Sequence, residues 1–163
     1  MKQKLFLSLL GIALGTLTAF AGEPQRLILN AGNVEHVTIQ SDMEIVLLQA
    51  PADEHSIILD QNALDKLNLK LNNKTLFISE KKGSSKEKMV VYLYVNNLKT
   101  LSVEGNSKIT TIGALETRNL DVFVDGNAWI HLRTNGTVKA YSLNDSDFAV
   151  KYISGKTVTK RGF

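Results

Sequence analysis

Leu-Ser-Val-Glu-Gly-Asn-Ser-Lys-Ile at 101–109 and Val-Phe-Val-Asp-Gly-Asn-Ala-Trp-Ile at 122–130 are two versions of one sentence. A looser third follows at 141–149, Tyr-Ser-Leu-Asn-Asp-Ser-Asp-Phe-Ala. Each is a short alternating apolar run, an acidic-or-Asn corner and a second apolar run. Gly105 aligns with Gly126 and Asp145, at spacings of 21 and 19 residues. A strand-like repeat near twenty residues predicts a β-solenoid, in which no rung can bury its apolar face alone and stacking on neighbours makes the core. The repeats occupy residues 98–158 and organise the rest of the chain.

Working outward, Val95 is followed by Asn96-Asn97, a turn into the first repeat. Residues 89–95 form a strand with Tyr92 and Tyr94 on one face. Before it, 80–88 holds only charged and small polar residues and reads as a solvated loop. Ser79/Lys82 and Ser85/Lys88 match a Ser-x-x-Lys pattern, but neither opens a helix, and the partner motifs of a serine nucleophile are missing. Residues 67–71 alternate Leu with Asn or Lys, and Asn72-Asn73 turns them into a strand at 75–79, a hairpin or rung corner. A short helix is expected at 62–66 and a strand at 56–60. A half-buried strand at 34–40, with Val34, His36 and Thr38 on one side and Glu35, Val37 and Ile39 on the other, and a strand at 43–49 complete the N-terminal part. Pro51 ends the latter because it cannot donate to a ladder.

The first 21 residues stand apart. Lys2 and Lys4 precede an uncharged apolar run, and Ala19-Phe20-Ala21 suits cleavage between Ala21 and Gly22. This predicts an exported chain, periplasmic or extracellular, with residues 22–163 as one domain and no membrane span after cleavage; an uncleaved anchor is the competing reading. The chain has 163 residues and no cysteine, which removes disulfides and thiolate metal sites. Of 19 Lys and Arg, two lie in the leader, leaving 17 against 16 Asp and Glu. So balanced a chain does not call for nucleic acid or an anionic membrane.

Chemistry was sought in the remaining polar residues. His36, His55 and His131 have no metal-ligand spacing between them. Glu104, Asp125, Asp145 and Asp147 recur at the corners, where Ca²⁺ or a hydrolytic pair is conceivable, yet no calcium repeat is present and Asp and Asn favour turns anyway. No catalytic residue, metal or cofactor is therefore expected. Alternation places Trp129, His131 and Arg133 on one strand face, opposite Ile130 and Leu132. If the apolar pair faces the core, this row faces solvent, where Trp stacks on a sugar ring and Arg grips a carboxylate or sulfate. The plain alternative is a packed surface row. Asn106, Asn127 and Ser146 fall at equivalent corner positions, suited to a ladder of side-chain hydrogen bonds.

Residues 34–155 resemble the GIN-type head domain of the autotransporter adhesin family. The resemblance rests on Asp42-Met43-Glu44-Ile45-Val46-Leu47-Leu48-Gln49, Asn62-Ala63-Leu64-Asp65-Lys66-Leu67, Asn72 through Ile78, Val95 through Leu101, and the two Gly-Asn corners. The chain departs from the pattern at the tripeptide Asp42-Met43-Glu44, at Ala50 after Gln49, and at Asn96 in place of Pro. The resemblance implies an all-β, right-handed, single-stranded β-solenoid of pectate-lyase type, with about three C-terminal rungs. It also implies a non-enzymatic envelope or adhesin-like module that recognises a glycan or surface partner. Two other functions remain open: a polysaccharide-active enzyme on a β-helix, and a self-associating structural module.

Overall fold

A computed structural model describes residues 25–28, 34–51, 56–59, 61–83, 89–142, 149–152 and 157–161, with backbone alone at 25–28, 61–62, 149–152 and 157–161. The leader and its cleavage site, His55, and the third corner with Asp145, Ser146 and Asp147 lie outside the described residues. In chain order the elements are β1 (Gln25–Ile28), β2 (His36–Gln40), β3 (Glu44–Gln49), β4 (Ser56–Leu59), α1 (Gln61–Leu64), β5 (Leu67–Asn72), β6 (Thr75–Glu80) and β7 (Val90–Val95). There follow β8 (Thr100–Glu104), β9 (Lys108–Ile112), β10 (Asn119–Asp125), β11 (Trp129–Leu132), β12 (Thr137–Ser142), β13 (Ala149–Tyr152) and β14 (Thr157–Arg161). The protein is all-β apart from the single turn of α1.

The strands form two open, mixed sheets. Sheet I has the order β1-β4-β7-β3-β9-β11-β13 and sheet II the order β14-β12-β10-β8-β2-β6-β5. From β6 onward the chain alternates between sheets, one strand in each. The three repeats become β8–β9, β10–β11 and β12–β13, stacked in parallel register. Ile109 pairs with Ile130, as the repeat alignment has it, whereas Ile130 pairs with Val150, one residue beyond the Ala149 that the alignment sets opposite it. Ser142 lies beside Val124 and Ala149 beside Trp129, so the third corner has two more residues than the second. Those extra residues explain why the third repeat reads loosely.

The N-terminal half departs from a solenoid wound in chain order. β2 lies between β6 and β8, and β3 between β7 and β9, although both precede β6 in sequence. β1, β4 and β5 pair antiparallel at the edges. The first strand pair is thus an insert between two later ones, and the chain steps over it from β7 to β8. Local periodicity reports each strand's inner face but carries no information about which strand becomes its neighbour.

Inner faces from both sheets make one core. In sheet II, Leu76, Val37, Leu101, Val122 and Ala140 are adjacent in register and fully buried. In sheet I, Val91, Ile45 and Ile109 do the same, with Ile130 next. Burying each Val, Ile or Leu stabilises by about 1.5–3 kcal/mol relative to exposure. β-Branched side chains suit these positions because they pack on a pleated surface in one rotamer.

Glu35 joins the insert to both of its neighbours. Its carboxylate accepts hydrogen bonds from Lys74 Nζ at 2.8 Å and Lys99 Nζ at 2.6 Å. Lys74 is in the β5–β6 turn and Lys99 leads into β8. The main chain repeats the pattern: Glu35 and His36 N–H donate to the Lys74 carbonyl, and Lys99 N–H donates to the Glu35 carbonyl. The β5–β6 turn is centred on Asn73-Lys74, one residue later than Asn72-Asn73, with φ of 43° and 66°. Positive φ at both central residues matches the twist of a two-residue hairpin. At Lys74 that conformation costs about 1–2 kcal/mol, which these contacts to Glu35 offset.

The corners from sheet II to sheet I depend on close backbone approach. Gly105 and Gly126 have φ of 107° and 134°, and a Cβ on Gly126 would meet the Gly105 carbonyl oxygen at 2.6 Å. Of the expected Asn106–Asn127–Ser146 ladder, Ser146 lies outside the described residues, and Asn106 turns to the insert. Asp42 lies beside Asn106 and accepts its backbone N–H at 2.7 Å and its side-chain N–H at 3.2 Å. A carboxylate is the stronger acceptor, and the insert brings it to this position. Ser107 donates to the Ser41 carbonyl and accepts the Met43 N–H. At the opposite corner, a Cβ on Gly136 would sit 1.7 Å from the Thr117 carbonyl oxygen.

Two outcomes are expected. Gly136→Ala forces neighbouring turns apart and should destabilise by on the order of 3 kcal/mol or more in urea unfolding; a wild-type midpoint would show that this corner yields easily. The two lysines, Lys74 first, hold the Glu35 carboxyl down at about 2 from its usual 4.5. A depressed folded pKa contributes stability above pH 4.5 that is lost as pH falls toward 2. Glu35→Gln should therefore lower Tm at pH 7 and reduce the Tm difference from wild type across that acid window. A constant difference from pH 7 to 2 would mean that the carboxylate charge is not what matters.

Candidate functional site

The outward faces of the two sheets differ in chemistry. On sheet II, outward positions carry Thr75, His36, Thr100, Asp121 and Lys139 in one row. Gln40, Glu104 and Asp125 lie in another, with Gln40 Nε2 donating to Glu104 at 3.0 Å. Between these rows Phe123 and Tyr141 stack at 4.9 Å. Cross-strand aromatic pairing of this kind stabilises the sheet without exposing much apolar surface.

Sheet I is more apolar outside. Among the described residues, the exposed large hydrophobic side chains are Tyr92, Ile112 and Trp129, at 40%, 57% and 45% exposure. All three point outward from sheet I, because their strand neighbours Val91, Leu93, Ile109, Ile130 and Leu132 fill the core. Val46 lies between Tyr92 and Thr110, and Leu48 between Tyr94 and Ile112. The face therefore runs from Tyr92 and Tyr94 on β7, across β3 and β9, to Trp129 and His131 on β11.

Trp129 has a defined setting. His131 meets its ring edge-on, with centroids 5.7 Å apart. On the next strand, Lys108 Nζ lies 5.7 Å from the ring centroid while pairing with Glu44 at 2.8 Å. A cation at that distance is attracted by the ring's negative face. Glu44, Lys108 and Trp129 are successive residues across three strands. The indole is held from two sides and keeps an exposed surface for stacking.

Trp129 and His131 share the outward face, as alternation requires, and Ile130 and Leu132 are buried. Arg133 is exposed but follows the last residue of β11, and its N–H donates to Thr111 Oγ1 at 2.9 Å. The row is therefore Trp-His on the strand with Arg at its corner. Tyr92, Ile112 and Lys108 were not singled out from sequence. Lys108 was findable, since it occupies in the first repeat the position of Trp129 in the second.

His36 is on sheet II and His131 on sheet I. Glu104 and Asp125 are adjacent in register, but among the described residues no three His, Cys, Asp or Glu side chains converge to hold a metal ion. No helix among the described residues is long and apolar enough to cross a membrane.

Known structures share this architecture. A crystal structure named as a "putative adhesin" from Bacteroides fragilis aligns with TM-score 0.53 at 14% identity, covering 86% of this chain and 94% of that one. Another "putative adhesin", from Parabacteroides distasonis, gives TM-score 0.52 at 14% identity, covering 84% and 68%. At this identity the likeness is one of fold. No curated protein is significantly similar in sequence. The family described as "Putative auto-transporter adhesin, head GIN domain" matches residues 33–159, nearly the whole span of the two sheets, and the chain belongs to that family.

Proposed function

We propose that this protein is an exported, non-enzymatic binding module that recognises a glycan or a glycan-bearing surface through the outer face of sheet I. The observation that carries this reading is the position of Tyr92, Ile112 and Trp129 on one sheet face, with Trp129 held between Lys108 and His131. An exposed indole offers a sugar ring an apolar surface at little entropic cost, and neighbouring His and Lys bond its hydroxyls. Arg133, at the end of the same strand, adds a fork for an acidic substituent. Membership of an adhesin-type family supports export and surface binding in place of turnover. The finer architecture proposed is a short right-handed β-solenoid with about three C-terminal rungs, in which the β2–β3 pair stacks between the first of these and β6–β7.

Two experiments test this. Trp129→Ala should remove from a glycan-array profile the glycans that stack on the sheet I face while leaving Tm within about 2 °C, since a surface substitution of this kind changes stability by within about 0.5 kcal/mol. Undiminished binding by the variant would remove the sheet I face from consideration. Protease treatment of intact cells carrying the tagged protein should digest it; protection until the outer membrane is opened would place it in the periplasm and make its ligand an envelope component.

A further inference from the structure

We propose a second binding site, independent of the Trp129 face, at the corner where the chain passes from sheet I to sheet II: a trough for a saccharide carrying one carboxylate between neutral sugars. Two depressions of about 740 and 750 Å³ adjoin there and share Asn97 and Arg118. Asn96, Glu116 and Asn135 line the first, and His36, Lys99 and Asp121 the second. The space exists because three successive corners stack closely. Thr117 Oγ1 donates to the Leu98 carbonyl at 2.6 Å, Thr137 N–H donates to the Arg118 carbonyl at 2.9 Å, and Gly136, without a Cβ, lets its corner come up against the Thr117 carbonyl.

The lining selects the ligand class. No large apolar side chain lines either depression, which disfavours an acyl chain or a hydrophobic peptide. Asn96, Asn97, Asn119 and Asn135 supply carboxamides, each with two donors and an acceptor, the complement of sugar hydroxyls. Gln49 ties the first rim together: its Nε2 donates to Asn96 Oδ1 at 3.3 Å and its Oε1 accepts the Glu116 N–H at 2.7 Å. Rim groups held in place before binding lose little entropy on contact.

Charge order sharpens the choice. Lys99 is occupied by Glu35. Arg118 is exposed, and among the described residues no carboxylate lies within ion-pair distance of it. Its guanidinium is a planar fork suited to a carboxylate. With Lys99 already paired to Glu35, the charges of the lining without an ion-pair partner among the described residues are Glu116 in the first depression, Asp121 in the second and Arg118 shared by both. One ligand carboxylate is attracted by Arg118, while acids on both adjoining sugars would face like charge.

The test is an NMR titration of the purified protein with three trisaccharides: glucuronate between two N-acetylglucosamines, trigalacturonate, and neutral tri-N-acetylglucosamine. The expected result is saturable shifts at residues 96–97, 116–121 and 135–137 with the first, weaker binding of the other two, and at least about tenfold loss in Arg118→Gln, the scale of a lost charged hydrogen bond. Arg118 is exposed, so an unchanged Tm should accompany that loss. Contact of a sugar with the sheet I face would instead shift residues 92, 108, 129 and 131, so the positions that shift separate the two sites. No shifts in these segments, equal affinity for all three sugars, or undiminished binding by Arg118→Gln would each overturn the proposal.

Discussion

One carboxylate bridges the point where the chain order and the spatial order of the strands part company. Glu35 sits at the entry to β2, with Lys74 on one side and Lys99 on the other. A side chain can bond both neighbours only from a central strand, and β2 is central because later segments flank it. The same residue also uses its backbone N–H and C=O in opposite directions, toward Lys74 and Lys99. The ion pairs are partly exposed, and such pairs contribute modestly. Their value lies in alignment: they set the register at which Val37 and Ile39 enter the continuous core rows.

Register then propagates through the corners. Once Gln40 lies beside Glu104, Ser41-Asp42-Met43 must lie beside Gly105-Asn106-Ser107. That adjacency gives Asp42 two amide donors and lets Ser107 bond both sides of the insert's corner. The next turn approaches so closely that Gly126 has the Gly105 backbone where a Cβ would go. At the opposite corners Gly136 meets Thr117 in the same way. Glycine is required at these points by contact across turns, and at Gly105 and Gly126 by backbone conformation as well.

A scaffold held this way presents side chains at fixed intervals and brings few reactive groups together. Strand alternation sends every second residue outward, and parallel stacking sets outward residues about 4.8 Å apart across strands. That spacing places Lys108 beside Trp129 and makes a face for stacking. It also leaves His36 and His131 on separate sheets. Recognition by an ordered surface is what such a framework does readily, and the corner trough is another result of the same stacking.

Much of this was written in local sequence. The inward sets Val37/Ile39, Leu101/Val103 and Leu120/Val122/Val124 follow from period-two alternation, and so does the opposition of Trp129 and His131 to Ile130 and Leu132. The repeat alignment even placed Lys108 and Trp129 at equivalent positions. Tertiary structure alone decided that β2–β3 lies between strands that come later, that Asp42 displaces Asn127 as the partner of Asn106, and that Arg118 is shared by the two depressions lined by Glu116 and Asp121. The reason is physical: alternation and turn chemistry act over a few residues, and so can be read along the chain. Strand neighbours and the spaces between corners arise from contacts between residues far apart in the chain, from 19 positions for Thr117 with Leu98 to 64 for Lys99 with Glu35, which no local pattern records.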